Sequence, residues 1–196
     1  MRLQEGKNIE TLLAGRVQNP LSEAEYERQI QELGLPAIRR RLSQTLNAEM
    51  AKVRRNQKEK NPSNPKGLFA RNLLMDLDES LGFICDMADG EKYDLRFYSA
   101  VDTSLDFSGS FDCWVELFDL EKNIPLADYK IDITTNPNKV HPSNLADAVL
   151  YFDDSYVDPD FKGEIDPRFF ESDEYKTLVE LAALRLAQRA NIKFLL

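Results

Sequence analysis

"SGSFDCWVELFDLEKNIPLADYKIDITTNP", Ser108 to Pro137, reads as two strands joined by a polar turn. On the first arm Phe111, Cys113, Val115 and Leu117 fall on one face, with Asp112, Trp114 and Glu116 on the other. A period of two sends successive side chains to opposite faces of a sheet. The second arm turns Tyr129, Ile131 and Ile133 inward and leaves Asp128, Lys130 and Asp132 opposite. With the turn centred near Lys122, Trp114 pairs with Lys130, Glu116 with Asp128 and Asp112 with Asp132. Directly paired side chains have Cβ atoms ~5 Å apart. Two carboxylates that close repel unless a cation lies between them or one holds a proton. A divalent ion with oxygen ligands meets that need; a solvated polar face is the plainer alternative. Trp114 calls for cover, expected from the N-terminal helices, with a nucleic-acid base as the alternative.

Upstream, residues 8–58 read as helical. Ser22 and Glu25 form a capping-box pattern, Gly34 ends that helix, and Pro36 suits the first turn of the next. Leu42, Leu46, Met50 and Val53 recur at helical spacing as an apolar stripe. Around the stripe stand Arg39, Arg40, Arg41, Lys52, Arg54, Arg55, Lys58 and Lys60. The linker Asn61–Gly67, with two Asn-Pro steps, breaks the helix. A third helix, Leu68 to Met87, buries Leu73, Leu77, Leu81 and Ile84. A turn at Ala88–Lys92 leads to a strand at Tyr93–Val101. Beyond the hairpin, a helix from Ser143 carrying "NLADAVLYFDD" is expected, then an acidic loop, Ser155–Asp173. A last helix with Leu178, Leu181, Ala182 and Leu184 buried follows, and "IKFLL" reads as a terminal strand. This order predicts α+β or mixed α/β architecture, with a basic helical arm over 1–66 and a core domain over 67–196.

The 196 residues suffice for one domain with a core. The net charge of -9 is unevenly spread: residues 1–66 hold 13 Lys and Arg against 8 Asp and Glu, and the remainder 12 against 26. A basic arm on an acidic body is a cue for a polyanion partner. Cys85 and Cys113 read as buried thiols. With one histidine, His141, placed in a loop beside Pro142, neither zinc nor a histidine-based triad is expected. The start carries no secretory leader, and no stretch approaches the ~18 apolar residues of a membrane span. The expected setting is cytoplasmic, with no membrane partner. The acidic stretch Tyr151–Asp166 lacks the ligand order of a calcium loop.

An acidic residue opening one strand, acidic-x-Lys on the next, a helix before and another after: this order resembles the PD-(D/E)XK nuclease superfamily, over about Leu68 to Tyr151. The resemblance implies a restriction-endonuclease-like αβββαβ core with an N-terminal helical extension. It implies a metal-dependent DNA endonuclease that hydrolyses phosphodiester bonds with Mg²⁺ or Mn²⁺, and it admits a homodimer, since two strands call for two sites. Asp112, in "SGSFD", matches the first acidic position. Asp128-Tyr-Lys130 is the literal acidic-x-Lys match. Asp132-Ile-Thr134 fits the hairpin register better but carries threonine where lysine is expected, so Lys130 or Lys139 would supply the amine. Glu79, with Asp76 one turn away, is the helix contribution. The implied metal ligands are Asp112, Asp132 and Glu79; Lys130 or Lys139 would orient water. Arg39, Arg40, Arg41, Lys52, Arg54 and Arg55 would contact DNA phosphates. The competing reading is a non-catalytic acidic protein of the same fold that engages a basic partner or nucleic acid.

Overall fold

The computed structural model describes residues 9–15, 17–18, 20–57, 61–85, 92–139, 145–158 and 164–195. Lys58, Lys60, His141 with Pro142, and most of the turn at Ala88–Lys92 lie outside them. The protein is mixed α+β, built on a four-stranded mixed sheet. Helix α1 spans residues 9–14. Helices α2 (Glu23–Leu33), α3 (Leu35–Arg55) and α4 (Leu68–Ile84) follow. Strand β1 (Tyr93–Ser99) comes next, then a short helix α5 (Ser104–Gly109) that the sequence reading did not contain, and β2 (Cys113–Asp119) and β3 (Ile124–Thr134). The chain continues through β4 (Ala148–Tyr151), a small hairpin of β5 (Val157–Asp158) and β6 (Glu164–Ile165), and α6 (Asp173–Ala190).

Local chemistry fixes the helix ends. Glu25 N–H donates to Ser22 Oγ at 3.2 Å and Ser22 N–H to Glu25 Oε2 at 3.1 Å, the reciprocal capping box. Gly34, at φ 77°, takes a left-handed backbone and turns the chain from α2 into α3.

The strands lie in the order β1-β2-β3-β4. The hairpin register is the one read from the turn: Trp114 faces Lys130 and Glu116 faces Asp128. Beyond the strand end the ladder continues, with Asp112 N–H donating to Ile131 O at 2.9 Å. Strand β4 corrects the helix expected from Ser143: Ala148–Tyr151 pairs in parallel with Ile131–Thr134. Asp147 N–H to Lys130 O and Phe152 N–H to Thr134 O extend that pairing. A short apolar run has no period of its own, and sheet pairing decided its conformation. The terminal "IKFLL" forms only an isolated bridge, Phe194 with Cys85.

On β1, β2 and β3 odd-numbered residues face one core and even-numbered ones another; on β4 it is the even-numbered Leu150 that joins the first core. Leu95, Phe97, Cys113, Val115, Tyr129, Ile131 and Ile133 pack with α4 and α6. On α6 the buried residues are Tyr175, Leu178, Val179, Ala182, Ala183, Leu186 and Ala187. Leu181 and Leu184, expected inside, are 46% and 39% exposed. The paired alanines bring α6 close to its neighbours and rotate those leucines outward. On the opposite face Tyr98 and Trp114 pack with Leu42, Met50 and Val53 of α3 and Leu105 of α5. Phe111, expected on the odd face, joins this second core, because Ser110 at φ 55° turns the chain just before β2 begins. Trp114 is fully buried there, stacked on Tyr98 with ring centroids 5.0 Å apart.

Parts of the sheet edge at β1 and β3 are met by side chains and the linker. Phe97 N–H on β1 donates to Pro62 O of the linker. The Gln57 amide accepts from Ser99 N–H at 2.9 Å and donates to Ser99 O at 2.8 Å, as a neighbouring strand would. At the β3 edge, where β4 has not yet begun, Asp147 accepts from Lys130 N–H at 2.8 Å and Arg189 donates to Asp128 O at 2.6 Å.

Candidate functional site

The even-numbered face of the hairpin is not solvated. Asp112, Glu116, Lys130 and Asp132 are all buried. Glu116 and Lys130 each have partners of opposite charge, as an ionised group out of water requires. Glu116 accepts from Arg54 Nε at 2.8 Å and from Trp114 Nε1 at 2.8 Å. Arg54, read from sequence as a DNA contact, thus points inward at Glu116. Lys130 pairs with Asp128, and its Nζ lies 3.9 Å from Asp147. Lys139, from the loop after β3, reaches Asp132 Oδ2 at 2.5 Å.

Asp112 is held at the mouth of β2 because its carboxylate replaces a strand partner: Ile133 N–H donates to Oδ2 at 2.5 Å. Its carboxyl oxygen lies close to those of Glu10 on α1 and Asp106 on α5, the ligand atoms all within 4.8 Å of one another. Helix α5 presents Asp106 through its start: Thr103 Oγ1 accepts from Leu105 N–H, and Asp106 Oδ2 accepts from Asp102 N–H at 2.8 Å. Asp102 itself stands at φ 60°, which tightens the turn into α5. Burial first, then the charges of Asp106 and Glu10, hold the Asp112 carboxyl well above the ordinary range; the Ile133 N–H works against them, and Asp132 adds to the rise. The Cys113 thiol is raised too, by burial and by Asp112 and Asp132.

Glu79 is exposed on α4, which packs beneath the odd-numbered face, so the structure does not bring it to Asp112. Asp76, its alternative, accepts from Tyr175 OH at 2.6 Å. The residues the sequence reading missed are Glu10 and Asp106. A signal for Asp106 existed: Thr103-x-x-Asp106 has capping-box spacing. Glu10 had none, since only tertiary packing carries α1 to this end of the sheet.

Oxygen donors from separate elements suit a hard divalent cation such as Mg²⁺ or Mn²⁺, and the charges of Asp106 and Glu10, which come second to burial in raising the Asp112 carboxyl, are what such an ion would offset. On this observation the residues fit the ion the sequence resemblance implies.

Neither a protein-family model, nor a curated protein, nor a solved structure matches the chain. Among the described residues no helix is long and apolar enough to cross a membrane.

The raised Asp112 carboxyl has a consequence for stability without divalent ions. A carboxyl that binds its proton more tightly when folded favours folding most below its unfolded pKa, near 3.8. That contribution is lost as pH rises through the higher folded value. Asp112→Asn, which keeps an acceptor for Ile133 N–H, is therefore expected to melt higher than the parent in EDTA, by a margin that grows from pH 4 toward neutrality. A margin that is absent or shrinks with pH would show that the fold does not hold the Asp112 carboxyl above its ordinary range.

Proposed function

We propose that the protein is a divalent-cation-dependent DNA endonuclease with a restriction-endonuclease-like site at the open end of the hairpin, where β2 begins and β3 ends. The observation that carries this reading is the convergence of Glu10, Asp106 and Asp112 beside the Asp132–Lys139 pair. The carboxylates of Asp112, Asp106 and Glu10, with Asp132 at their side, would hold the ion. When bound, Mg²⁺ or Mn²⁺ polarises a phosphoryl oxygen and lowers the pKa of its water. Lys139 Nζ, held at Asp132, is placed to orient that water and to offset charge developing on the phosphate. Lys139 thus takes the role that Thr134 cannot fill, and Lys130, engaged by Asp128 and Asp147, is a structural cation.

Thermal melting with and without Mn²⁺, together with plasmid nicking, tests the reading. A ligand bound only by the folded chain and present at a hundredfold excess over its dissociation constant adds about 2.7 kcal/mol. The parent is expected to melt several degrees higher with Mn²⁺ and to nick plasmid. Asp112→Asn and Asp132→Asn are expected to lose both responses. A parent protein that neither shifts nor cuts sinks the proposal and leaves the non-catalytic alternative, whose mark is tight binding of a basic protein without any metal response.

A further inference from the structure

Most cations of the described chain are tied to carboxylates: Arg54 to Glu116, Arg96 to Asp94, Lys122 to Asp119, Lys139 to Asp132, Arg168 to Asp166 and Arg189 to Asp147. Those without such a partner gather mainly on helix α3. Arg40, Arg41 and Arg55 are exposed and have no carboxylate partner among the described residues. Lys52 is only loosely engaged, 3.8 Å from Glu49 with 64% of its side chain exposed.

These cations are ordered. The buried stripe of α3 is Leu42, Met50 and Val53. Arg40, Gln44, Ala48, Ala51 and Arg55, spaced by four, four, three and four residues, run along the opposite, outward side. Arg41 and Lys52 flank that side at its two ends. At 1.5 Å per residue the two basic ends are about 17–22 Å apart. Between them the outward side is neutral: Gln44 and Asn47, both exposed, and two alanines. Glu49, the helix's sole acid, is turned aside to accept from Ser104 Oγ at 3.2 Å.

We propose that α3 lies across the major groove of double-stranded DNA, with Arg40 and Arg41 on one phosphate backbone, Lys52 and Arg55 on the other, and Gln44 and Asn47 toward the base edges. The major groove is about 12 Å wide and admits a helix, so cations spaced as these are straddle it and reach both strands. Phosphate contacts set position and carry no sequence information, whereas Asn and Gln recognise adenine through paired hydrogen bonds. The alanines let the helix backbone come close. A membrane surface fits less well, because the outward side has no large apolar residue to bury in lipid. The inference rests on the reading of the chain as a DNA-acting protein, and it names the substrate form as duplex; it does not use the carboxylates.

The test is fluorescence anisotropy of the full chain in EDTA, with a labelled 20-base-pair duplex, the same strand alone, and vesicles of anionic phospholipid. Four phosphate contacts give a log–log salt slope of about -3.6, hence roughly a 100-fold weakening between 50 and 200 mM salt. The duplex is expected to bind more tightly than the single strand or the vesicles. R40Q/R41Q/K52Q/R55Q is expected to lose that salt dependence. Q44A/N47A is expected to keep the salt slope and level the ranking among a set of duplex sequences. Circular dichroism melting is expected to show that both variants fold, since the altered side chains are exposed. The inference is overturned if the parent prefers vesicles or single strands, or if the quadruple variant binds as the parent does. An unchanged sequence ranking in Q44A/N47A overturns the groove placement. Lost duplex binding with Mn²⁺ stabilisation retained defeats this inference alone; retained duplex binding without any Mn²⁺ response defeats the nuclease reading alone.

Discussion

Replacing Arg54 by methionine is expected to destabilise the protein by about 3–5 kcal/mol, the usual cost of stranding a buried charge whose partner has been removed. Glu116 has 1% of its side chain exposed and the Arg54 side chain 27%. The variant keeps an apolar side chain of similar length and removes the charge and its donors, with the guanidinium that lies 5.9 Å from the Tyr98 ring centroid. In a chain of this size such a loss lowers the melting temperature on the order of 10 °C. R54M/E116L, which removes both charges, is expected to recover only part of it: an apolar pair often replaces a buried ion pair without penalty, but the buried Trp114 Nε1–H then loses its acceptor, at about 1–3 kcal/mol. Chemical denaturation of both variants checks the pair. A loss below about 1 kcal/mol in R54M, typical of exposed pairs, would mean that Glu116 is reached by water.

Trp114→Ala is the second large effect, about 3–5 kcal/mol for a fully buried tryptophan. The ring stacks on Tyr98, meets Phe111 edge-on at 6.1 Å, and donates from Nε1 to Glu116. Truncation opens a cavity between α3 and the sheet and takes a donor from a buried carboxylate. Trp114→Phe, which keeps the packing and loses the donor, is expected to cost less, about 1–3 kcal/mol. The damage has a location. Hydrogen exchange followed by mass spectrometry is expected to show α3 and α5 losing protection while α4 and α6, on the other face, keep theirs. Uniform loss across both faces would mean that Trp114 does not anchor the helical arm separately.

The hairpin was legible because two signals agreed: strict alternation named the faces, and the position of the turn fixed the register to the residue. The burial of Asp112 and Asp132 on the even-numbered face was not legible there, because alternation names a face without saying what covers it. Nor was the place of Glu79, because a helix preceding a sheet can cover either face, and α4 covers the one from which Asp112 and Asp132 point away. Glu10 and Asp106 join Asp112 from distant stretches, and no local pattern encodes such a meeting. Arg54 could have been separated from its neighbours: it follows Met50 by one helical turn and so borders the buried stripe, whereas Arg40 and Arg55 lie opposite. Strand β4 was hidden for a different reason. Val149, Leu150, Tyr151 and Phe152 suit a buried strand and a buried helix equally, and the exposed edge of β3 settled the matter.

The carbonyl of Pro62 and the side-chain amide of Gln57 both belong to the segment that joins the helical arm to the sheet. By meeting the outward backbone groups of Phe97 and Ser99, they deny β1 the role of template for a foreign strand. Trimming the arm away to isolate residues 67–196 would therefore do more than discard its positive charge. It would bare the backbone of Phe97 and Ser99 as a rim open to intermolecular strand addition.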